Sequence, residues 1–362
     1  MKLEDLCTPA LVLDAAVVEK NVHRLANYVK SHGLGLRPHT KTHKSRKLSA
    51  MQLATGSIGL TVAKVGEAQT MLPLEADMLL AYPALDSHRA AWAAKLAKQT
   101  TLRVAIDSAL AAERLSAAAS AEGSTLGILV DLDVGMGRTG VATPELLWQL
   151  AEVVLRSPGL RLDGIFCYPG HVWGPADQQA QQLAPVSQKL AAAIDLFAKH
   201  GVQAGIVSGG STPTAYQSHH VPQYTEIRPG TYVYNDMNTV AGNFCTLDDC
   251  AARMVCTVIS NAVAGQVVLD SGTKVLTSDR CIPNLELGHG LIVEYPAARI
   301  TKLSEEHGQV DITNCDRVPK LGERVTVIPN HICPCINLAS QVWWHEAGEI
   351  TPLPIDARGE VV

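Results

Sequence analysis

No apolar run in this sequence approaches the ~20 residues that a membrane-crossing helix requires, so no membrane partner is expected. An excess of positive charge is missing too. Lys and Arg number 30 against 35 Asp and Glu, a net charge of −5, whereas a nucleic-acid-binding chain normally runs the other way. The N-terminal "MKLEDLCTPALVLD" places acidic residues where a secretory signal has an apolar stretch, and a cytoplasmic protein is expected. The nine cysteines (7, 167, 245, 250, 256, 281, 315, 333, 335) are odd in number and lack a compact repeated spacing. Reduced thiols are therefore expected rather than a disulfide framework. Internal repeats, low-complexity tracts and long linkers are also lacking. The remaining composition, 47% hydrophobic and 18% charged over 362 residues, suffices for a sizeable core. It has room for a barrel of about 250 residues and something smaller.

Apolar strand-like segments recur between helical ones through the first two thirds of the chain. "TPALVLD" (8–14) reads as a buried strand after a short tail, and 15–33 as a helix with a Gly stop. Strands follow at 33–39, 77–85, 102–108, 126–135, 162–170 and 204–210, with helical segments at 64–76, 143–156 and 177–200. That alternation predicts an α/β fold, a (β/α)8 barrel over 15–236 behind the tail and first strand at 1–14. From 237 to 362 the texture turns to short β runs, which predicts a separate C-terminal β domain. The join is expected as a short hinge at 236–243.

Function in such a barrel sits at the C-terminal strand ends. "LRPHTKTHKSRK" (36–47) crowds Arg37, Lys41, Lys44, Arg46 and Lys47 with His39 and His43. Lys41 lies just past a strand, where an amine can condense with the aldehyde of pyridoxal 5'-phosphate. Lys44, Arg46 and Lys47 are expected to face solvent, and on composition alone the whole cluster also reads as a solvated basic surface. "VSGGSTPT" (207–214) supplies Ser208, Gly209, Gly210, Ser211 and Thr212 at a strand end. "EIRPGTYVYND" (226–236) supplies Gly230, Thr231 and Tyr232. Glycines and hydroxyls before a helix suit a phosphate, although each stretch can equally be a structural turn. "DLDVGMGRTGV" (131–141) carries Arg138, a rim arginine for the cofactor's phenolate or a loop salt bridge. "CYPGHVW" (167–173) offers Tyr168 and His171 as ring contacts or acid/base groups, or as an aromatic corner. In "VIPNHICPCINL" (327–338), His331 and Cys333 would share one face of a strand and suit a divalent ion. A buried Cys beside a surface His is the structural alternative. Two ligands leave room for substrate on the metal, and Cys335 and Asp270 are further candidates, as a third ligand and an orienting carboxylate.

Taken together and in this order, these motifs resemble the D-threonine aldolase and D-serine dehydratase family, fold-type III pyridoxal-phosphate enzymes with alanine-racemase-like architecture. The resemblance runs from "TPALVLD" to "IDARG" (355–359). It implies that Lys41 of "RPHTKTHK" forms the imine and that Arg138 faces the cofactor. "SGGSTPT" and "RPGTY" would hold the phosphate with Tyr232 nearby, and "NHICP" would hold a metal through His331 and Cys333. The family implies a D-amino acid substrate, a homodimer, and Zn2+, Mn2+ or Mg2+, with thiolate favouring zinc. Aldolases of the family that carry His-X-Asp contrast with dehydratases that carry His-X-Cys, as here. "EIRPGTYVYND" and "ITPLPIDARG" resemble the aldolase-like branch, so retro-aldol cleavage of D-threonine-like substrates is the primary expectation, with His171 as an assisting base. Dehydration of D-serine or D-3-hydroxyaspartate is the alternative. A racemase or a non-catalytic cofactor carrier stands further off.

Overall fold

Strands that are apolar on both faces are the feature from which the larger part of the fold follows. Leu126–Leu132 is buried at every position, and Leu60–Val62 and Met78–Leu80 are buried throughout. Such strands need cover on two sides, which parallel βα units supply. The strands are β1 (Ala10–Asp14), β2 (Gly35–Leu36), β3 (Leu60–Val62), β4 (Met78–Leu80), β5 (Leu102–Ile106), β6 (Leu126–Leu132), β7 (Leu160–Cys167), β8 (Ile206–Gly209) and β9 (Glu226–Ile227). In the computed structural model, which describes Met1–Val362, β2 to β9 form one eight-stranded parallel sheet in the order β2-β9-β8-β7-β6-β5-β4-β3. A parallel bridge between His39 and Thr61 joins its two ends and closes the barrel. Leu79, Ala105, Leu129 and Phe166 pack together as an interior cluster. The intervening helices start where the sequence offers a cap. Asp86, Ser108 and Thr143 accept from the backbone N–H of Arg89, Ala111 and Leu146, and Pro144 sits at a helical start where its missing N–H costs nothing.

The second sheet is built from β1 with β10 (Ala252–Ser260), β11 (Gln266–Leu269), β12 (Leu291–Ile292), β13 (Arg299–Leu303), β14 (Gly308–Asp311), β15 (Arg324–Ile328), β16 (Gln341–Glu346) and β17 (Glu349–Pro354). Strand β1 pairs antiparallel with β10 and parallel with β16, so the N-terminal strand completes the C-terminal sheet. The chain accordingly divides into Met1–His23, Thr42–Lys44 and Thr231–Arg358 as one unit, and Arg24–Lys41, Ser45–Gly230 and Gly359–Val362 as the other. This corrects the expected boundary at 236/237. The change falls at Gly230/Thr231, and 237–241 is helix rather than a hinge.

Arg37, one of the five cations of the crowded stretch, is buried inside the barrel unit. Its Nε donates to Glu226 at 2.9 Å, its Nη1 to Asp77 at 2.6 Å, and Arg103 and Asp163 extend the network. Burial presses the Arg37 guanidinium's pKa down, but the Glu226 and Asp77 charges together hold it above its ordinary value. Arg37→Met leaves the buried Glu226 without the guanidinium that its carboxylate faces and is expected to cost about 3–5 kcal/mol, read from urea unfolding of the purified variant.

Candidate active site

The C-terminal ends of the barrel strands surround a cavity of about 380 Å3. Small-molecule sites span about 300–1,000 Å3. Lys41 stands on its wall in a 3-10 turn, Thr40–Thr42, that follows β2. Arg138 and Tyr168 line the same cavity, with the guanidinium 4.8 Å from the centre of the Tyr168 ring. Gly210 lines it as well. Four of the residues singled out from sequence thus meet in one place. His171 does not line this cavity. It is exposed, and a Cβ placed on Gly135 would come within 2.9 Å of its ring, so as an assisting base it would stand outside this cavity. Lys44 is a correction, since it is 5% exposed and not solvated, with φ at +49°.

The turn after β8 requires its glycines. Gly210 has φ at +75°, and a Cβ there would meet Ile227 at 2.9 Å, while one on Gly209 would strike the Tyr224 ring. Ser211 is buried and bonded to Thr214, and Thr212 Oγ1 accepts from Gly230 N at 3.3 Å. This bond ties the turns after β8 and β9 together, as a phosphate cradle made from two adjacent strand ends requires. Ser208 has a different role. It is fully buried, donates to Glu226 at 2.6 Å and accepts from Arg228 Nη1 at 2.7 Å. A cavity with an amine on its wall and a backbone cradle closed to any Cβ fits pyridoxal phosphate.

Sequence reasoning passed over Arg228 and Asp131. Arg228 is buried on the cavity wall with its guanidinium 3.7 Å from the Phe166 ring centre, and it donates to Cys167 O at 2.7 Å. Its spacing of two from Glu226 puts both side chains on one face, and that was the available signal. Asp131 lines the cavity near Arg138 and Arg228. Burial lifts its carboxyl to about 6, against the pull of Thr139 and the two arginines. The folded state therefore binds an extra proton between about pH 4 and 6, so this group's contribution to stability falls as pH rises through that window. Asp131→Asn is expected to stabilise the cofactor-free protein by on the order of 3 kcal/mol above that window and to have no such effect below it. Thermal melts on either side of the window check this.

In the β-rich unit His331 and Cys333 do not lie on a strand. His331 is the N-cap of the helix Ile332–Leu338, and Cys333 sits in its first turn beside Pro334, a position that tolerates proline. The pair still meets, the imidazole interacting with the Cys333 sulfur although it makes no capping bond to the helix. His331 Nδ1 shares a hydrogen with Asp279 Oδ2 at 2.7 Å, which leaves Nε2 for another partner. Burial lowers the His331 pKa. The Cys333 sulfur, Asp236 and Asp279 outweigh burial and lift it to about 9, a local field that favours cations. The Cys333 thiol donates to Thr42 Oγ1 at 3.3 Å and lies 3.8 Å from Thr231 Oγ1. Tyr234 Oη nearby is buried with no hydrogen-bond partner, and Tyr232 is buried.

Imidazole, thiol and an outer carboxylate fit a divalent ion of the zinc type, although no third His, Cys, Asp or Glu gathers with them. Cys335 is not that third ligand. It is buried against Leu276 O and His331 O. Asp270 instead accepts from Thr257 N and Thr8 Oγ1, and the carboxylate that orients His331 is Asp279.

Residues 13–238 match the alanine racemase N-terminal domain. The chain belongs to that family. Residues 251–344 match a putative serine dehydratase domain, the combination expected for the D-threonine aldolase and D-serine dehydratase group. The D-threonine aldolase of Arthrobacter sp. is 29% identical over 339 residues, 91% of this chain and 87% of that one. The solved D-threonine aldolase of Filomicrobium marinum is 28% identical with a TM-score of 0.90, over 100% of this chain and 98% of the other. The D-threo-3-hydroxyaspartate dehydratase of Delftia sp. (strain HT23) is 28% identical, covering 91% of each chain. A solved cysteine-to-alanine variant of a dehydratase of that name, in a metal-free form, superposes with a TM-score of 0.90 at 25% identity over 98% of each chain. The alanine-racemase-like barrel with its C-terminal β domain is thus the fold of this chain. No helix is long and apolar enough to cross a membrane.

Proposed function

We propose that this chain is a pyridoxal-phosphate- and metal-dependent lyase acting on D-3-hydroxy-α-amino acids, with retro-aldol cleavage to glycine and an aldehyde as its main reaction. The observation that carries this reading is that the residue bonded to the metal-type pair directly follows the cavity amine in the chain. Lys41 stands on the cavity wall, and Thr42, the next residue, accepts from the Cys333 thiol. When bound, the cofactor supplies an electron sink for the substrate's α-carbon, and the metal supplies a Lewis acid for its β-hydroxyl oxygen.

Lys41 Nζ would anchor the cofactor and, once the substrate's amine has taken its place, hold the proton exchanged with the substrate. The Gly209–Thr212 turn, joined through Thr212 to Gly230, would bind the phosphate. Arg138, set over Tyr168, would carry positive charge to the phenolate side. His331 and Cys333 would hold the metal, with Asp279 fixing the imidazole so that Nε2 faces the ion. Thr231 beside Cys333 and buried Tyr232 would then shape the substrate end rather than the phosphate.

The second reading, β-elimination to a 2-keto acid and ammonia, is favoured by one residue. Cys333 stands where the aldolase-type motif has Asp. Both reactions use the same side chains and differ in which bond at Cα or Cβ is cleaved. Incubating the protein with D-threonine and D-serine, with and without chelator, separates them. Glycine plus acetaldehyde supports the aldolase, a 2-keto acid plus ammonia the dehydratase. Absence of both sets of products from either amino acid and from 3-hydroxy-D-aspartate would sink the lyase reading. A single homodimer species in solution is expected, checked by sedimentation.

A further inference from the structure

The cavity at the barrel mouth holds a second amine besides Lys41. Lys64 lines the same wall, between β3 and the short helix Val65–Met71. The backbone around it is pinned from two directions. Ala63 N donates to Glu67 Oε2 at 2.7 Å and Gly66 N to Val362 O at 3.1 Å. Glu360 lies so close over Gly66 that a Cβ there would strike its carboxylate. With the backbone held, the side chain is aimed by what it touches, and that is Tyr82, just past β4. The ammonium stands 3.6 Å from the Tyr82 ring centre. A π face attracts a cation but does not neutralise it. Elsewhere in this unit the buried cations have acids of their own, as Asp77 pairs with both Arg37 and Arg103. Lys64 has the ring alone, and its charge is left for a ligand.

The charges on the wall say which ligand group that is. Lys41, Lys64, Arg138 and Arg228 face only two carboxylates, Asp107 and Asp131, so the cavity suits a ligand with several negative groups. Arg228 is committed inward, through Nη1 to Ser208 Oγ and through Nη2 to Cys167 O. In the reading above, the turn after β8 takes the phosphate, Arg138 the phenolate, and Lys41 yields its place to the substrate's amine. The substrate's own α-carboxylate is then the anion without a partner, and Lys64 the cation without one. Strand order supports the match. β2 pairs with β9 on one flank, and the His39–Thr61 bridge joins it to β3 on the other. Lys41 therefore stands between the phosphate turns and Lys64.

We propose that Lys64 is the counter-ion of the substrate's α-carboxylate, and that it makes the site prefer amino acids to amines that lack this group. The inference rests on the reading of the cavity as a pyridoxal-phosphate site. Lys64 and Tyr82 are both half-buried, so an ion pair formed there is screened less than one on an open surface. The ring already holds the ammonium in place, so little side-chain freedom is lost when the carboxylate arrives. A charge-assisted hydrogen bond of this kind corresponds to about 10–100-fold in affinity. An amine without the carboxylate leaves the ammonium on its ring and gains none of this.

The test titrates the cofactor-loaded full chain with D-alanine and with D-alaninamide, read from cofactor absorbance as the ligand's amine displaces Lys41. The two ligands differ only in carboxylate against neutral carboxamide, and neither has the β-hydroxyl that cleavage requires. Lys64→Met is expected to weaken D-alanine binding by about 10–100-fold and to leave D-alaninamide binding unchanged, which also shows the cavity intact. Lys64→Arg should keep most of the preference for D-alanine. Unaltered D-alanine binding by Lys64→Met, or equal weakening of both ligands, would overturn the counter-ion. In turnover, KM should rise alike for D-threonine and 3-hydroxy-D-aspartate. A rise confined to 3-hydroxy-D-aspartate would move Lys64 to the side-chain carboxylate and overturn the assignment. A loaded chain that cleaved neither substrate would fail the lyase reading, with the titration still deciding Lys64. A chain that took up no cofactor would sink both.

Discussion

Lys41→Ala is expected to lose cofactor attachment altogether and to lower lyase activity by about 10⁴-fold, the upper span commanded by a group that acts in the chemistry itself. The exposed amine on the cavity wall gives the reason. Lys41 is held in a 3-10 turn at the end of a barrel strand, so removing its side chain beyond Cβ leaves the strand and the cavity wall intact. The matched control is Lys47→Ala, exposed in the following helix, which should keep both attachment and activity. Lys44 does not serve as a control, being buried with a left-handed backbone, so that its replacement tests the fold as well as the amine. Lys64 is the true competitor. It lines the same cavity with its Nζ 3.6 Å from the centre of the Tyr82 ring. Borohydride reduction of the loaded protein followed by peptide mapping separates the two, and cofactor trapped on Lys64 would refute the assignment to Lys41.

The barrel was legible because its strands are apolar on both faces and alternate with capped helices. Segments around β4 to β8 could be read without any tertiary information. What escaped was short or remote. Strand β3 has three residues and β9 two, below the length at which periodicity can speak, whereas β2 and β4, as short, lie inside longer apolar segments at 33–39 and 77–85. The partners of β1 lie more than two hundred residues away in β10 and β16, so no local pattern could reveal that it completes the other sheet.

The site was legible in its glycines and its lysine, and less so in its charges. Gly209 and Gly210 were visible as a glycine pair at a strand end that suits a phosphate, and the structure adds that Gly210 needs the left-handed region. On composition Arg37 and Lys44 read as part of a solvated basic surface, because sequence does not display the buried carboxylate that neutralises Arg37. The HICP stretch was read as a strand with a disturbing proline. That proline is the signal of a helix start, and it moves His331 to a cap. Asp279, fifty-two residues from His331, carried no local signal at all.

Removing the metal-type pair is expected to be the next most damaging change after removing Lys41, and by a separable route. His331→Ala or Cys333→Ala should leave the cofactor on Lys41 and lower turnover by about 10²–10³-fold, since a Lewis acid at the β-oxygen supplies several kcal/mol of stabilisation as charge develops there. Cys333→Asp tests the softness of the site, because a carboxylate should shift preference from zinc towards Mn2+ or Mg2+ while restoring part of the activity. Asp279 acts one step removed. It touches His331 Nδ1 and not the ion, so Asp279→Ala should weaken metal affinity by about 10–100-fold and be rescued by excess metal, which the ligand variants are not. Metal content after dialysis, cofactor absorbance and product formation, measured together on each variant, decide the matter. Loss of cofactor along with the metal would make the pair a structural support. Full activity in a metal-stripped ligand variant would remove the metal from the reaction.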